Sequence, residues 1–157
     1  HIKYVILDAD ALNSFQYKTK KLIKYLDKYK LITPHNGEFH RLFPSIKRSL
    51  SNKEKVSKFL KLCKSNILLK GNATLIGFNN KIIKNLHTSS ELAVIGSGDV
   101  LAGIITSLVG DNKMSVIEAA SAGAWLHGDI AKKYGRGLIS EDLIKGIPSA
   151  LQRLKNE

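Results

Sequence analysis

The chain has 157 residues, 43% of them hydrophobic, and 25 Lys and Arg against 13 Asp and Glu give a formal charge of +12. That length predicts one domain spanning 1–157 with a real core, and the apolar fraction excludes a disordered chain. The single cysteine, Cys63, excludes a disulfide-stapled scaffold and a Cys-rich zinc module, and the longest apolar stretch, Gly98 to Gly110, contains Asp99 and is too short to span a bilayer.

The start, His1-Ile2-Lys3-Tyr4-Val5, lacks the charged-then-apolar pattern of a signal peptide, so a cytoplasmic protein is expected. Tyr4-Val5-Ile6-Leu7 reads as a buried strand ending at Asp8-Ala9-Asp10. Leu22, Ile23, Leu26 and Tyr29 mark a helix, and Leu31-Ile32-Thr33 is the next strand, stopped by Pro34. A short helix is expected over Gly37 to Phe43.

Ser51 and Glu54 form a capping box that opens a helix to about Lys64. Val56, Phe59, Leu60 and Cys63 recur there at helical spacing with lysines between them, which predicts an amphipathic helix with a solvated basic face. No Tyr or Trp interleaves the basic stretch to stack bases, so a nucleic-acid surface is not expected.

Asn66 to Gly71 is a further buried strand ending in a glycine turn. Thr74 to Phe78 and Lys81 to Leu86 flank Asn79-Asn80, a hairpin turn because asparagine tolerates positive φ. Leu92 to Ile95 is expected as a short strand, after which Gly96-Ser97-Gly98-Asp99 turns into an apolar helix over Val100 to Leu108. Ser115 and Glu118 form a second capping box before a helix reaching about Tyr134, and Ser140 caps the last helix, with a kink expected at Pro148.

Strands alternating with helices imply an α/β fold with a mostly parallel sheet and one antiparallel hairpin. Ligands of open α/β sheets sit beyond the carboxyl ends of the strands. Four polar groups fall at those ends: Asp8/Asp10/Asn13, His35/Glu38, Lys70/Asn72/Thr74 and Gly98/Asp99. Gly96-Ser97-Gly98-Asp99 opens a helix whose free N–H groups and positive dipole end suit an anion, and Asp99 is placed to take a proton from an attacking hydroxyl. Lys70-Gly71-Asn72-Ala73-Thr74 can hold phosphate through a lysine and backbone amides. Each motif alone also has a plainer reading: Asp99 compensating a helix dipole, Lys70 on a hairpin turn, His35 in a polar turn, His127 packing beside Trp125.

Taken in order, Asp8-Ala9-Asp10-Ala11-Leu12-Asn13, Thr33-Pro34-His35-Asn36-Gly37-Glu38-Phe39, Leu69-Lys70-Gly71, Gly96-Ser97-Gly98-Asp99-Val100-Leu101-Ala102-Gly103 and Trp125-Leu126-His127-Gly128 closely resemble the ADP/ATP-dependent NAD(P)H-hydrate dehydratases of the ribokinase-like superfamily. Gly137-Leu138-Ile139-Ser140-Glu141-Asp142-Leu143 fits the tail of the same family. The resemblance implies a three-layer α/β/α fold and repair of NAD(P)H hydrated at C6. In that reaction ADP or ATP donates a phosphoryl group to the 6-hydroxyl and phosphate then leaves. By analogy Lys70, Gly71, Asn72, Ala73, Thr74 and Gly98 contact the adenine nucleotide, with Mg2+ as its companion ion, and His35 and Asp99 contact the hydrated cofactor.

The chain departs from the family pattern in four places. The opening strands and helices of the family domain have no counterpart here, so the sequence is expected to be the C-terminal portion of the domain. Association with itself, or with a chain supplying the front half, is then expected. Asn36 stands where the family has proline in Pro-His-Pro-Gly-Glu, and Asn72-Ala73 stands for Ala-Gly after Lys70-Gly71. The segment from His87 to Ile95 is altered, and Glu91 brings a negative charge toward the expected phosphate path. A ribokinase-like kinase that phosphorylates a small alcohol, and an inactive nucleotide-binding remnant, are the alternative readings.

Overall fold

The computed structural model describes residues 3–155; His1 and Ile2, part of the N-terminal reading above, lie outside them. Five strands, β1 (Val5–Leu7), β2 (Lys30–Ile32), β3 (Asn66–Leu69), β4 (Thr74–Phe78) and β5 (Lys81–Asn85), lie in the sheet in chain order. The first three pair in parallel, and β4 and β5 follow antiparallel. The turn between β4 and β5 is made by Asn79 and Asn80 at φ +42° and +60°, as asparagine's tolerance of that region predicts.

Alternation along the strands sorts side chains into two layers. Ile32, Ile67, Leu69 and Leu75 face one side, where they pack with Leu12, Leu22, Phe39, Phe43, Val56 and Phe59. Those residues come from α1 (Ala9–Asn13), α2 (Thr19–Tyr25), α3 (Asn36–Leu42), α4 (Asn52–Leu62) and the residues flanking them. Leu31, Leu68 and Ile76 face the other side, against Leu101 and Ile105 of α5 (Ser97–Gly110) and Val116, Ala119, Ala120 and Ala124 of α6 (Val116–Tyr134). The final helix, α7 (Ser140–Lys155), contains Pro148 and packs outside α5 and α6 through Leu143 and Ala150. The arrangement is the expected α/β/α sandwich. No helix among the described residues is long and apolar enough to cross a membrane.

The capping boxes at Ser51/Glu54 and Ser115/Glu118 are both formed, side chain to backbone in each direction. Four local expectations are corrected. The helix expected from Leu22 to Tyr29 is α2, which ends at Tyr25, because the Asp27 carboxylate accepts from the Tyr29 N–H at 2.8 Å and turns the chain into β2. Leu92 to Ile95 is not a strand: Ser90–Leu92 is a 3₁₀ turn, the segment joins no strand of the sheet among the described residues, and Ile95 is 97% exposed. Asp8-Ala9-Asp10, read as a strand end, instead runs straight into the short helix α1, with β1 ending at Leu7. The basic face of α4 is not uniformly solvated, because Lys55 is buried.

Candidate active site

The carboxyl ends of the three parallel strands are stitched together beyond the sheet proper. Thr33 N–H donates to the Leu7 carbonyl at 3.0 Å, and Lys70 N–H donates to the Pro34 carbonyl at 2.9 Å. This registers three side chains at one edge. Lys70 Nζ donates to Asp8 Oδ1 at 2.8 Å, and Thr33 Oγ1 donates to the same oxygen at 2.8 Å. Asp8 is 62 residues from Lys70, and the sequence alone offered no means of pairing them.

Gly98, in the first turn of α5, packs directly on this pair. A Cβ there would lie 3.2 Å from Lys70 Nζ and 3.4 Å from Asp8 Oδ2. The absence of a side chain therefore leaves the ammonium and the first-turn N–H groups, which have no intrahelical carbonyl, open to the same ligand. Gly96, just before, is at φ +82°, where glycine has no steric penalty.

These groups border a cavity of about 700 Å³ lined by His35, Lys70, Gly71, Asn72, Thr74, Ser97, Gly98 and His127 on one side and by the 88–94 loop on the other. The sequence-predicted residues are thus largely brought together. Ala73 is separated from them: it lines a second cavity on the other side of the Lys70–Thr74 turn, which Gly71 and Asn72 share. Asp99 is exposed and does not line the 700 Å³ cavity. Ser90 and Leu92 line the cavity while Glu91 between them does not, so its charge is not in the lining.

His35 has an additional structural task. Its Nδ1 accepts from the N–H groups of Gly37 and Glu38, at 2.9 and 3.3 Å, and Glu38 Oε2 accepts from the His35 N–H at 2.8 Å. This is a capping box with histidine in the serine role, and Nδ1 is its acceptor nitrogen.

Two features of the cavity were missed in the sequence. His127 Nε2 lies 3.1 Å from Ser97 Oγ at the start of α5. Burial pushes the His127 pKa down to about 4; a hydrogen bond with Ser97 opposes this and the Lys70 charge adds to it. At neutral pH the ring is uncharged, and among the described residues Lys70 is the one lysine or arginine in the cavity lining.

The second feature is the clamp on the cavity's outer wall. His87 stacks on Trp125 with ring centroids 4.9 Å apart, and its Nε2 lies 3.3 Å from Asp129 Oδ1. Asp129 is also held by Arg153 at 2.6 Å and Lys133 at 3.6 Å. Burial would raise the Asp129 pKa, but hydrogen bonds from Arg153 and His87 and the Lys133 charge keep it below the usual carboxylate value. Thr88 Oγ1 then donates to the Asn72 carbonyl at 2.7 Å, tying the wall to the Lys70–Thr74 turn.

Among the described residues no three His, Cys, Asp or Glu side chains converge as a metal site. Asp8, the carboxylate nearest Lys70, is already bonded to that ammonium and to Thr33. The protein groups do not fit a dedicated magnesium cage; an ion of this type normally rides on substrate phosphates and water.

The three-layer α/β/α fold is shared with solved structures. The chain superposes with a TM-score of 0.80 over 98% of its length on 54% of a ribokinase-like superfamily protein from Enterococcus faecalis, at 22% identity. It matches the ADP/ATP-dependent NAD(P)H-hydrate dehydratase of Bacillus subtilis, co-crystallised with ATP and Mg2+ and soaked with CoA, at TM-score 0.74 and 27% identity, over 96% of this chain and 56% of that one. Residues 1–149 match the carbohydrate-kinase family described as NAD(P)H-hydrate dehydratase. The chain belongs to that family. It is 37% identical to the ADP-dependent (S)-NAD(P)H-hydrate dehydratase of Neisseria meningitidis, over 98% of this chain and 54% of the relative. It is 34% identical to the bifunctional NAD(P)H-hydrate repair enzyme of Moorella thermoacetica, over 97% of this chain and 30% of that protein. The chain thus spans about half the length, or less, of these curated relatives.

Proposed function

We propose that this chain carries the nucleotide side of an ADP- or ATP-dependent NAD(P)H-hydrate dehydratase, as a cytoplasmic, partial ribokinase-like domain over 1–157. The observation that carries the reading is the contact of Gly98 with the Lys70–Asp8 pair at the mouth of α5. In this reading the nucleotide phosphates enter between Lys70 and the α5 N-terminus, with Gly71, Asn72, Ala73 and Thr74 against the rest of the nucleotide. Asp8 and Thr33 hold the lysine in place, so its charge is fixed before phosphate arrives, which is how preorganised groups stabilise a transferring phosphoryl.

Asp99 is then the base. It accepts the proton of the 6-hydroxyl as that oxygen attacks the terminal phosphorus and the bond to the bridging oxygen breaks. The phosphate ester formed at C6 leaves as inorganic phosphate, and loss of the ring proton restores the reduced nicotinamide. His35 lies beside Lys70 at the same edge, with its Nε2 3.6 Å from Glu38 Oε2, and is the proposed contact for the hydrated cofactor. Magnesium, when bound, would be carried by the nucleotide's own phosphates and would help neutralise their charge.

Because Asp99 is exposed, the hydrated cofactor is bound over an open surface. Among the described residues β1 has a partner only on its β2 side. A second copy, or a chain offering further strands, is the proposed cover. This observation also favours a narrower reading, in which the chain binds nucleotide and turns over nothing on its own.

The test is calorimetry with ADP and ATP, with and without magnesium, followed by incubation with hydrated NADH and ADP while NADH absorbance and released phosphate are read. Nucleotide binding with matched release of NADH and phosphate supports the whole reading. Binding without release leaves the narrower one, and no binding to the folded chain removes both.

A further inference from the structure

On the far side of the Lys70–Thr74 turn lies a second cavity, of about 530 Å³, lined by Asn36, Asn52, Lys53, Gly71, Ala73 and Lys84 among others. No acidic side chain lines it. Beneath it is Lys55, 6% exposed, and no carboxylate lies within ion-pair distance of it among the described residues. Buried ammonium groups are normally paired, so its surroundings call for an explanation.

The Lys55 ammonium donates to Asn36 Oδ1 at 3.0 Å and to Asn52 Oδ1 at 3.4 Å. An ammonium has three donors and no acceptor, so chemistry dictates that the amide oxygens, not the nitrogens, face it. Both amides are thereby turned with their NH2 groups away from Lys55 and toward Gly71. A Cβ on Gly71 would lie 3.2 Å from Asn52 Nδ2 and 4.0 Å from Asn36 Nδ2. The glycine leaves this space free, and the two amides present donors into it, with Lys53 and Lys84 at the rim. The lining is a set of oriented donors and positive charges whose own net charge is uncompensated.

We propose that this cavity is a phosphate-binding site, distinct in its donors from the one at Lys70 and Gly98 but sharing the Gly71–Ala73 turn with the nucleotide reading above. Its ligand is a phosphate dianion, either free or as the 2′-phosphate of a dinucleotide. Asn36 is one of the two oriented amides, and it stands where the family pattern has proline, so the site is a property of this chain's own residues.

The test is an amide-detected NMR titration of the full chain with inorganic phosphate alone. Shifts at the side-chain amides of Asn36 and Asn52 and at the Gly71 N–H are expected, and they persist in a Lys70→Met variant. Asn36→Pro removes one donor at the first position of α3, where proline suits a helix, and Lys53→Ala removes a rim charge. Together they are expected to weaken phosphate binding by about tenfold or more, the size of roughly one charge-assisted hydrogen bond, measured at a temperature where the variant is still folded. NADP+ and NAD+ as further probes separate the sources. If NADP+ moves the same amides and NAD+ does not, the site takes the 2′-phosphate. If phosphate alone moves them, it takes the free ion. Absence of shifts at Asn36, Asn52 and Gly71 with every probe overturns the proposal, as does a phosphate response confined to Lys70 and Gly98 and lost in Lys70→Met.

Discussion

A Cβ placed on Gly128 would sit 1.7 Å from the carbonyl oxygen of His87, so α6 and the chain leaving β5 meet backbone to backbone. That approach sets the position of the 88–94 wall of the large cavity, and the His87–Trp125 stack and the Asp129 bond hold it there. Gly128→Ala cannot be absorbed by turning a flexible side chain, because the obstacle is main chain. Overpacking of this kind costs about 1–3 kcal/mol and at times more. We expect a loss at or above the top of that range in chemical denaturation, with weakened nucleotide binding by calorimetry at temperatures where the variant is still folded.

Gly98→Ala separates folding from binding. Alanine is favoured over glycine inside a helix by up to about 1 kcal/mol, and the new methyl meets Lys70 Nζ at 3.2 Å, a contact the long side chain can relieve. Stability is expected to hold or rise while ADP affinity falls, because the methyl occupies the approach to the α5 N-terminus. A variant that binds ADP as well as the parent chain would show that phosphate does not enter there.

Lys70→Met removes the cation and leaves Asp8 with Thr33 alone as a bonded partner. A hydrogen bond to a charged group is worth about 1.5–3 kcal/mol, so nucleotide affinity is expected to drop roughly ten- to a hundredfold. Calorimetry with ADP is the measurement, and an unchanged Kd would contradict the assignment. Asp99→Asn, by contrast, is expected to leave that affinity nearly intact and to lower turnover by about 10²- to 10⁴-fold, measured on an assembly that turns over hydrated NADH.

These outcomes bear on what could be read from the sequence. Elements stabilised by neighbours in the chain were legible: the capping boxes at Ser51/Glu54 and Ser115/Glu118, and the Asn79-Asn80 hairpin. So was the gathering of His35, Lys70, Asn72, Thr74 and Gly98 at the strand ends, because a parallel sheet fixes which ends those are, whereas Asp10, Asn13 and Asp99 lie outside the cavity lining. What escaped was decided by distant partners. Leu92 to Ile95 has the composition of a strand and no neighbour to pair with. Lys55 carries the periodicity of an exposed position and is covered by Asn36 and Asn52. His35 serves as a helix cap, a role its residue type seldom signals. The His127–Ser97 and His87–Asp129 contacts span 30 and 42 residues and leave no local trace.

His127 also predicts a pH dependence. Its pKa in the folded chain is about 4 against 6.5 for the free side chain. Between those values the unfolded chain binds a proton that the folded one does not, so stability falls as pH drops from 6.5 toward 4 and levels off below. A shift of this size corresponds to a loss on the order of 3 kcal/mol. Denaturation curves across that range should show the decline in the parent chain and a flatter profile in His127→Gln. Equal slopes in the two would assign the effect to other groups.

Every hydrogen-bonded pair of strands is also consecutive along the chain. A nascent polypeptide can therefore add each strand to an edge already formed, without threading one between two others. One face of the sheet is covered as this proceeds, since α1 to α4 are interleaved with the strands. The other, bearing Leu31, Leu68 and Ile76, stays bare until α5 and α6 emerge after the last strand. Lys70 belongs to the early stage and Gly98 to the late one, so the phosphate approach comes into being only when the two stages join. On the proposed reading, occupancy by nucleotide would report completed folding.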